Sequence, residues 1–325
     1  MHSKFIKIHG KINNFKKKIN VDGDKSLSIR WALIASQAFG ISKAKNLLKS
    51  EDVIHTLNCL KTLGVRIKEK NGEISLKGVG INGFNFRKKI ILNAGNSGTL
   101  GRLILPLLIK SPYKIKLVGD RSLSKRDFSR VIKPLKEIGV NFYPENKKTL
   151  PIFIKGSEYL RPIEYEENRG SAQCKSCIML ASLNVPGIVK IKAKKSRDHT
   201  ERMFKSLKLP IRLKKFHDYD LIELSKPNKI KNLNFNIPGD ISSAAFFIVL
   251  TILSSKSSIV LRNININPSR TGIIKILNKM GAKIKLKNIK IINGEKCSDI
   301  HVKSIKNLRS INCPPSLNSS AIDEF

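Results

Sequence analysis

Acidic residues are scarce in this 325-residue chain: 24 Asp and Glu stand against 62 Lys and Arg, a formal charge of +38. A cationic surface of that size invites a nucleic-acid reading, because basic stripes bind phosphate backbones. The distribution argues against it. The lysines are spread along the whole chain among Ile and Asn, with no basic tail. Aromatics are also few, 6% with a single Trp, and no aromatic-interleaved basic patch resembles a single-strand stacking platform. A composition-wide drift toward Lys, Ile and Asn accounts for the charge, which still favours small anionic substrates. Long apolar runs are missing too, and those present are too short and interrupted to span a bilayer. With no signal peptide and five irregularly spaced cysteines, a reducing cytoplasm is the expected setting. Cys174 and Cys177 form a lone CxxC with no second pair and no nearby histidine pair. It reads as two thiols on one face of a core helix, not as a zinc or redox site. No motif calls for a metal or an organic cofactor.

What is present is 41% apolar, enough for a real core, and the length fits two domains better than one. The organising stretch is Asn93–Arg102 (NAGNSGTLGR), which runs straight into the apolar Leu103–Ile109. Such a junction predicts a tight turn followed by a buried helix. Asn96, Ser97 and Thr99 can cap it, and Gly95 and Gly98 let backbone come close to a ligand. A buried helix start leaves amide donors unpaired and concentrates partial positive charge, so an anion is its natural partner. Similar junctions lie at Asp24–Arg30, Gly170–Gln173 and Gly239–Ser243. Ser26, Ser97, Ser171 and Ser242 stand 71, 74 and 71 residues apart, the mark of an internal repeat.

Each repeat continues with an amphipathic helical pattern that turns into a strand. Val53–Ile67, Phe128–Phe142 and Arg270–Ile284 align, with Gly64, Gly139 and Gly281 in corresponding places. Thr200–Leu213 is a fourth copy without the glycine. Alternating stretches at Glu73–Lys77, Pro151–Lys155, Tyr219–Leu224 and Asp299–Lys303 predict strands with one buried face. The unit is therefore an apolar helix, a strand, an amphipathic helix and one or two strands. The apolar helices go inside, the sheets face out, and the capped helix starts converge on a common cleft. At Ser319–Phe325 small polar residues introduce what looks like a fifth buried helix with no body after it, and the chain is expected to be a C-terminally truncated fragment.

Eight pieces, in order along the chain, carry a resemblance: Asp24–Arg30, Gly95–Arg102, Gly119–Arg126, Ser171–Lys175, Ser196–Arg202, Pro238–Ser243, Asn267–Gly272 and Ile322–Glu324. Together they resemble the enolpyruvyl transferases, and within them the 5-enolpyruvylshikimate-3-phosphate (EPSP) synthase family. The resemblance implies an α/β (α+β) fold: a two-domain inside-out α/β barrel of repeated βαβαββ units, here with the second domain incomplete. It implies domains of residues 1–22 plus 238–325 and of residues 23–237, with the active site between them. The reaction implied moves the enolpyruvyl group of phosphoenolpyruvate to the 5-hydroxyl of shikimate 3-phosphate.

By the same resemblance, Lys25, Gly98, Arg126 and Gln173 bind phosphoenolpyruvate. Lys25, Ser26, Arg30, Ser171, Ala172, Gln173, Arg197 and Asp323 bind shikimate 3-phosphate. Lys25 and Asp323 are the catalytic candidates, Asp323 as proton acceptor for the 5-hydroxyl; it could equally serve as an N-cap. Arg102 stiffens the cleft from behind. Asp323 lies two residues from the chain end, and a fraying terminus cannot hold a base in reach, so little or no turnover is expected of this polypeptide. Asp24 and Asp127 replace residues usual in the family, and either acid could weaken anion binding nearby. Gly98 suits glyphosate-sensitive members whereas other motifs lean to the tolerant branch, which leaves sensitivity open. Two rivals stand beside this reading. One is the sister enzyme acting on a UDP-amino sugar (UDP-N-acetylglucosamine), which has a Lys-Asn pair and a loop cysteine where this chain has Lys25-Ser26 and a cysteine-free Arg121–Arg126. The other is a basic nucleic-acid-binding protein on the same repeat. A monomer without membrane or nucleic-acid partners is expected.

Overall fold

A computed structural model describes residues 10 and 12–324 of the chain. In chain order, β1 (Lys16–Ile19) precedes a first repeat of α1 (Lys25–Ser36), β2 (Phe39–Lys45), α2 (Glu51–Thr62), β3 (Arg66–Lys70) and β4 (Glu73–Val79). The second repeat is β5 (Ile91–Asn93), α3 (Gly98–Leu103), β6 (Ile115–Val118), α4 (Ser129–Ile138), β7 (Asn141–Tyr143) and β8 (Ile152–Lys155). The third is β9 (Glu164–Glu167), α5 (Ala172–Ala181), β10 (Ile188–Lys194), α6 (His199–Ser206), β11 (Ile211–Lys215) and β12 (Tyr219–Ser225). The fourth runs through β13 (Asn234–Asn236), α7 (Ile241–Leu253), β14 (Ser258–Asn265), α8 (Gly272–Lys279), β15 (Lys283–Ile292) and β16 (Glu295–Lys303). The short α9 (Asn318–Ala321) and a 3-10 turn over Ile322–Glu324 follow.

The expected α/β repeat is thus found, and its sheets share one plan. Among the described residues the four sheets run β13-β2-β4-β3, β5-β6-β8-β7, β9-β10-β12-β11 and β1-β14-β16-β15. In each the first pair is parallel and the second antiparallel. The first strands of two repeats are exchanged. β1 precedes α1 but pairs with β14, Lys16 opposite Ser258. β13 precedes α7 but pairs with β2, Asn234 opposite Lys43. The chain accordingly folds as two compact units. One comprises Asp22–Pro238 with Ile292–Glu295; the other comprises the described residues up to Val21, with Gly239–Ile291 and from Lys296 onward.

In the larger unit the apolar helices form the core. Leu27–Ser36 of α1 and Cys174–Ala181 of α5 are buried along their whole length. Truncating such a side chain, Leu33 for example, costs about 2–5 kcal/mol. The sheets close the core from outside by strict alternation. On β10, Val189, Ile191 and Ala193 point in while Lys190, Lys192 and Lys194 point out. Much of the positive charge is therefore placed by the strand period of two, not gathered into a face.

Two local features differ from the sequence expectation, each for a physical reason. The buried helix predicted over Leu103–Ile109 breaks: α3 stops at Leu103 and a 3-10 turn covers Leu105–Leu107. Pro106 lacks the amide needed to bond the Arg102 carbonyl and its ring crowds that turn. The glycine-less fourth copy keeps the glycine geometry. Lys208 sits two residues past α6 with φ +55°, where Gly64, Gly139 and Gly281 take +93°, +113° and +99° in the other copies. In the smaller unit α7 buries Ile241, Ala244, Ala245, Ile248 and Ile252, and leaves Phe246 (80%) and Leu253 (69%) exposed.

Candidate functional site

The helix starts of α1, α3 and α5 carry most of the candidate residues, and all three helices belong to the larger unit, where α3 packs against both α1 and α5. At each start an oxygen of the preceding residue accepts the third backbone amide. Asp24 accepts from Leu27 N at 2.9 Å, Ser97 from Leu100 N at 3.2 Å and Ser171 from Cys174 N at 3.2 Å. This capping fixes where each helix begins and leaves its first amides without an intrahelical acceptor. Asp24 is fully buried and serves as this cap.

Around α3 two guanidinium groups are packed against glycine. A Cβ on Gly98 would stand 2.8 Å from Arg102 Nη1 and 3.3 Å from Arg126 Nη1. Arg126 is exposed and donates through Nη2 to Asn96 Oδ1 at 2.9 Å. Arg102 is buried: it donates to the carbonyls of Gly98 and Asp127 at 3.3 and 2.8 Å, and its guanidinium lies 4.7 Å from the Phe128 ring centre. Burial, then the neighbouring Arg130 and Arg126, bring its pKa down to about 10, which still leaves it charged near neutrality. The Asp127 carboxylate accepts from Ser129 N at 2.6 Å and Ser129 Oγ at 2.8 Å. Burial acts to raise its pKa, but those two bonds with Lys148 and Arg130 outweigh it and hold Asp127 below the usual carboxylate range.

Gln173 ties α5 to α3. Its Oε1 accepts from Arg102 Nη1 at 3.0 Å and its Nε2 donates to Thr99 Oγ1 at 3.3 Å. Beside it, Ser171 and Ala172 begin α5 on a turn made by Gly170 at φ +69°. The buried Glu167 carboxylate holds that turn by accepting from Arg169 N at 3.0 Å and Ser171 N at 2.9 Å.

On α1, Lys25 pairs with Asp52 Oδ2 at 3.0 Å and is half exposed, a contact worth about 1 kcal/mol or less. Ser26 and Arg30 lie one turn apart, and Arg30 Nη1 donates to the Ser26 carbonyl at 3.1 Å. Burial lowers the Arg30 pKa to about 10, against the opposing pull of Glu201 and Asp24; the positive charge of Arg197 pushes it the same way as burial. Arg197, partly exposed, precedes α6.

The structure therefore joins Gly98 and Gln173 through Arg102, sets Arg126 beside Gly98, and gathers Ser26 and Arg30 with α5 and α6. Asp323 stands in the smaller unit, on the Ile322–Glu324 turn, beside a hollow of about 360 Å³ also lined by Ser242, Phe246 and Ile273. There Glu324 accepts from Ser242 Oγ at 2.5 Å, and Ser242 Oγ accepts from Arg270 Nη2 at 2.7 Å.

Sequence reasoning missed the residues behind Arg30. Thr200 and Ser176 hold its guanidinium, and next to them Lys175 and Glu201 form an ion pair of 2.5 Å with side chains 0% and 2% exposed. The available signal was a lysine inside an otherwise apolar helix and a glutamate inside the Ser196–Arg202 motif; charged residues at core positions need partners. Cys174 and Cys177 are buried in α5. Burial, then Glu167, pushes the Cys174 thiol up to about 12, and burial with Cys174 pushes Cys177 well above its usual value. Neither is a thiolate near neutrality. Among the described residues no cluster of three or more His, Cys, Asp or Glu could hold a metal, and no helix is long and apolar enough to cross a membrane.

Comparison with known proteins bears on this arrangement. The profile of the EPSP synthase (3-phosphoshikimate 1-carboxyvinyltransferase) family matches residues 10–314. The 3-phosphoshikimate 1-carboxyvinyltransferase of Vesicomyosocius okutanii is 40% identical over 314 residues, covering 96% of this chain and 71% of its own length. That of Caldicellulosiruptor bescii is 41% identical over 323 residues, 98% of this chain and 73% of the relative. The solved EPSP synthase of Acinetobacter baumannii superposes with a TM-score of 0.86 at 37% identity, over 97% of this chain and 70% of that one. Sequence identity of this extent, with the repeat fold and the clustered helix starts, establishes that the chain belongs to the EPSP synthase (3-phosphoshikimate 1-carboxyvinyltransferase) family.

Proposed function

We propose that this chain transfers the enolpyruvyl group of phosphoenolpyruvate to the 5-hydroxyl of shikimate 3-phosphate, giving 5-enolpyruvylshikimate 3-phosphate and phosphate on the route to chorismate and the aromatic amino acids. Each substrate carries a phosphate and a carboxylate, so the first task is to offset repulsion between two anions. Lys25, Arg126 and the backbone at Gly98 take phosphoenolpyruvate, with Gln173 touching both substrates. Ser26, Arg30, Ser171, Ala172 and Arg197 take shikimate 3-phosphate. A general acid protonates C3 of phosphoenolpyruvate and makes C2 electrophilic, and the 5-oxygen adds there as its proton passes to Asp323; the C2–O bond to phosphate then breaks as C3 returns a proton to that acid's conjugate base, which restores the double bond. Lys25 and Arg126 offset the charge that builds on the phosphate as it departs.

The observation that carries this reading is the α3 start: two guanidinium groups against Gly98, one of them bonded to Gln173 at the start of α5. A side chain at residue 98 would occupy the space those cations leave at the helix start. The two compact units support a division of the chain into domains of residues 23–237 and of 1–22 with 238–325. The cysteines are all free and four of the five are buried, in keeping with a reducing cytoplasm.

Phosphate release from phosphoenolpyruvate in the presence of shikimate 3-phosphate tests the assignment. Arg126→Met is expected to lower kcat/KM for phosphoenolpyruvate at least about tenfold, since a charge-assisted hydrogen bond contributes roughly 1.5–3 kcal/mol. No phosphate release by the wild-type chain, or equal kcat/KM in wild type and variant, would overturn it.

A further inference from the structure

We infer that Thr200 and Ser176 are the positioning residues that set the orientation of the Arg30 guanidinium for shikimate 3-phosphate. Arg30 is 4% exposed and projects from α1 toward α5 and α6. Its Nε donates to Thr200 Oγ1 at 2.8 Å and its Nη2 to Ser176 Oγ at 3.2 Å. The two hydroxyls are bonded to each other at 2.7 Å. Nη1 donates to the Ser26 carbonyl at 3.1 Å. A guanidinium has five N–H donors; these bonds use three, leaving one on each terminal nitrogen to meet a ligand.

An arginine side chain has several rotatable bonds, and fixing it on ligand binding costs affinity unless the protein has already fixed it. The hydroxyl pair does this by gripping the Nε–Nη2 side of the planar group, which settles both its direction and its roll. The grip depends on the spacing of two helices, because Ser176 is on α5 and Thr200 on α6. The residues adjacent to them in sequence, Lys175 and Glu201, join the same two helices by their buried ion pair. Ser176 is 1% and Thr200 1% exposed, so neither hydroxyl is free to turn toward solvent instead. Thr200 and Ser176 touch no substrate in this scheme; they act through Arg30.

The inference rests on Arg30 being a shikimate 3-phosphate ligand, and the test separates the two claims. Shikimate 3-phosphate is titrated calorimetrically into wild type, Arg30→Lys, Thr200→Val, Thr200→Ser and the Arg30→Lys/Thr200→Val double variant. Thr200→Val keeps the shape and removes the hydroxyl, and about a tenfold loss of affinity is expected for a bond to a charged group. Thr200→Ser restores the hydroxyl and returns affinity to within about threefold of wild type. In the double variant the two losses do not add, because lysine has no Nε–Nη2 side to grip. A merely structural role for Thr200 gives additive losses with no rescue by serine, and overturns the inference. So does Arg30→Lys weakening binding while Thr200→Val leaves it unchanged. Unchanged affinity in Arg30→Lys overturns the ligand role of Arg30 and the inference together. Should Thr200→Val not fold, Ser176→Ala takes its place in the same cycle with the same outcomes.

Discussion

The buried Lys175–Glu201 pair offers a sharp test of the packing behind the site. Both side chains are withdrawn from water, 0% and 2% exposed, with Lys175 Nζ 2.5 Å from Glu201 Oε1. Removing one partner of such a pair costs about 3–5 kcal/mol, because the other is left as an uncompensated buried charge. The two single variants differ in what they leave. Lys175→Met leaves Glu201, which still has the charge of Arg30 nearby; Glu201 is the largest electrostatic influence on Arg30. The loss is therefore expected near 3 kcal/mol. Glu201→Gln leaves two buried cations, Lys175 and Arg30, without the carboxylate that acts on both, and the loss is expected near 5 kcal/mol. The chain has one tryptophan, Trp31, fully buried in α1 of the larger unit, so its fluorescence follows that unit alone and avoids mixing two transitions. Urea titrations followed at Trp31 should rank wild type above Lys175→Met and Lys175→Met above Glu201→Gln. Losses under about 1 kcal/mol in both, or the reverse order, would refute the reasoning.

Three further outcomes follow from named contacts. Asp127 titrates below its ordinary 3.8 in the folded protein, so the unfolded chain binds its proton first. Its contribution to stability is complete above pH 3.8 and is lost as pH falls through the lower folded value; Asp127→Asn should flatten that part of the acid unfolding curve at Trp31, and an unchanged curve counts against the two bonds from Ser129 to the Asp127 carboxylate. Lys208 holds a left-handed φ of +55°, so Lys208→Gly should stabilise the larger unit by about 0.5–1 kcal/mol, read as a higher urea midpoint. Of five free cysteines only Cys313 is not buried, so one thiol should react quickly with a disulfide reagent at pH 8 and the others only on unfolding; fast reaction at Cys174 would contradict its burial and its thiol pKa of about 12.

Much of the site could be read from short-range pattern. A small polar residue before an apolar run locates a helix start wherever it lies, since capping and the period of 3.6 involve only neighbours. That is why the candidate caps Asn96, Ser97 and Thr99 include the one that the structure uses, Ser97, and why four repeats can be aligned by serine spacing. The Pro106 break was equally local but was masked by the apolar run around it. The residues that hold Arg30 left no such trace. Thr200 lies 170 residues from it and Ser176 lies 146 away, and a hydroxyl's role there depends on what the fold sets opposite it.

The sequence by itself determined the elements: where helices begin, which of their faces are apolar, and that one plan of apolar helix, strand, amphipathic helix and one or two strands is repeated. These follow from backbone capping and from periodic burial, which act over a few residues. Tertiary structure alone decided the partners. β1 and β13 are four and three residues long and could pair with either of two similar sheets, and only the assembled units fix β1 on β14 and β13 on β2. The same holds for Lys175 with Glu201 and for Arg30 with Thr200 and Ser176. A buried polar group must find a partner, but which group it finds is settled by packing between helices that lie far apart along the chain.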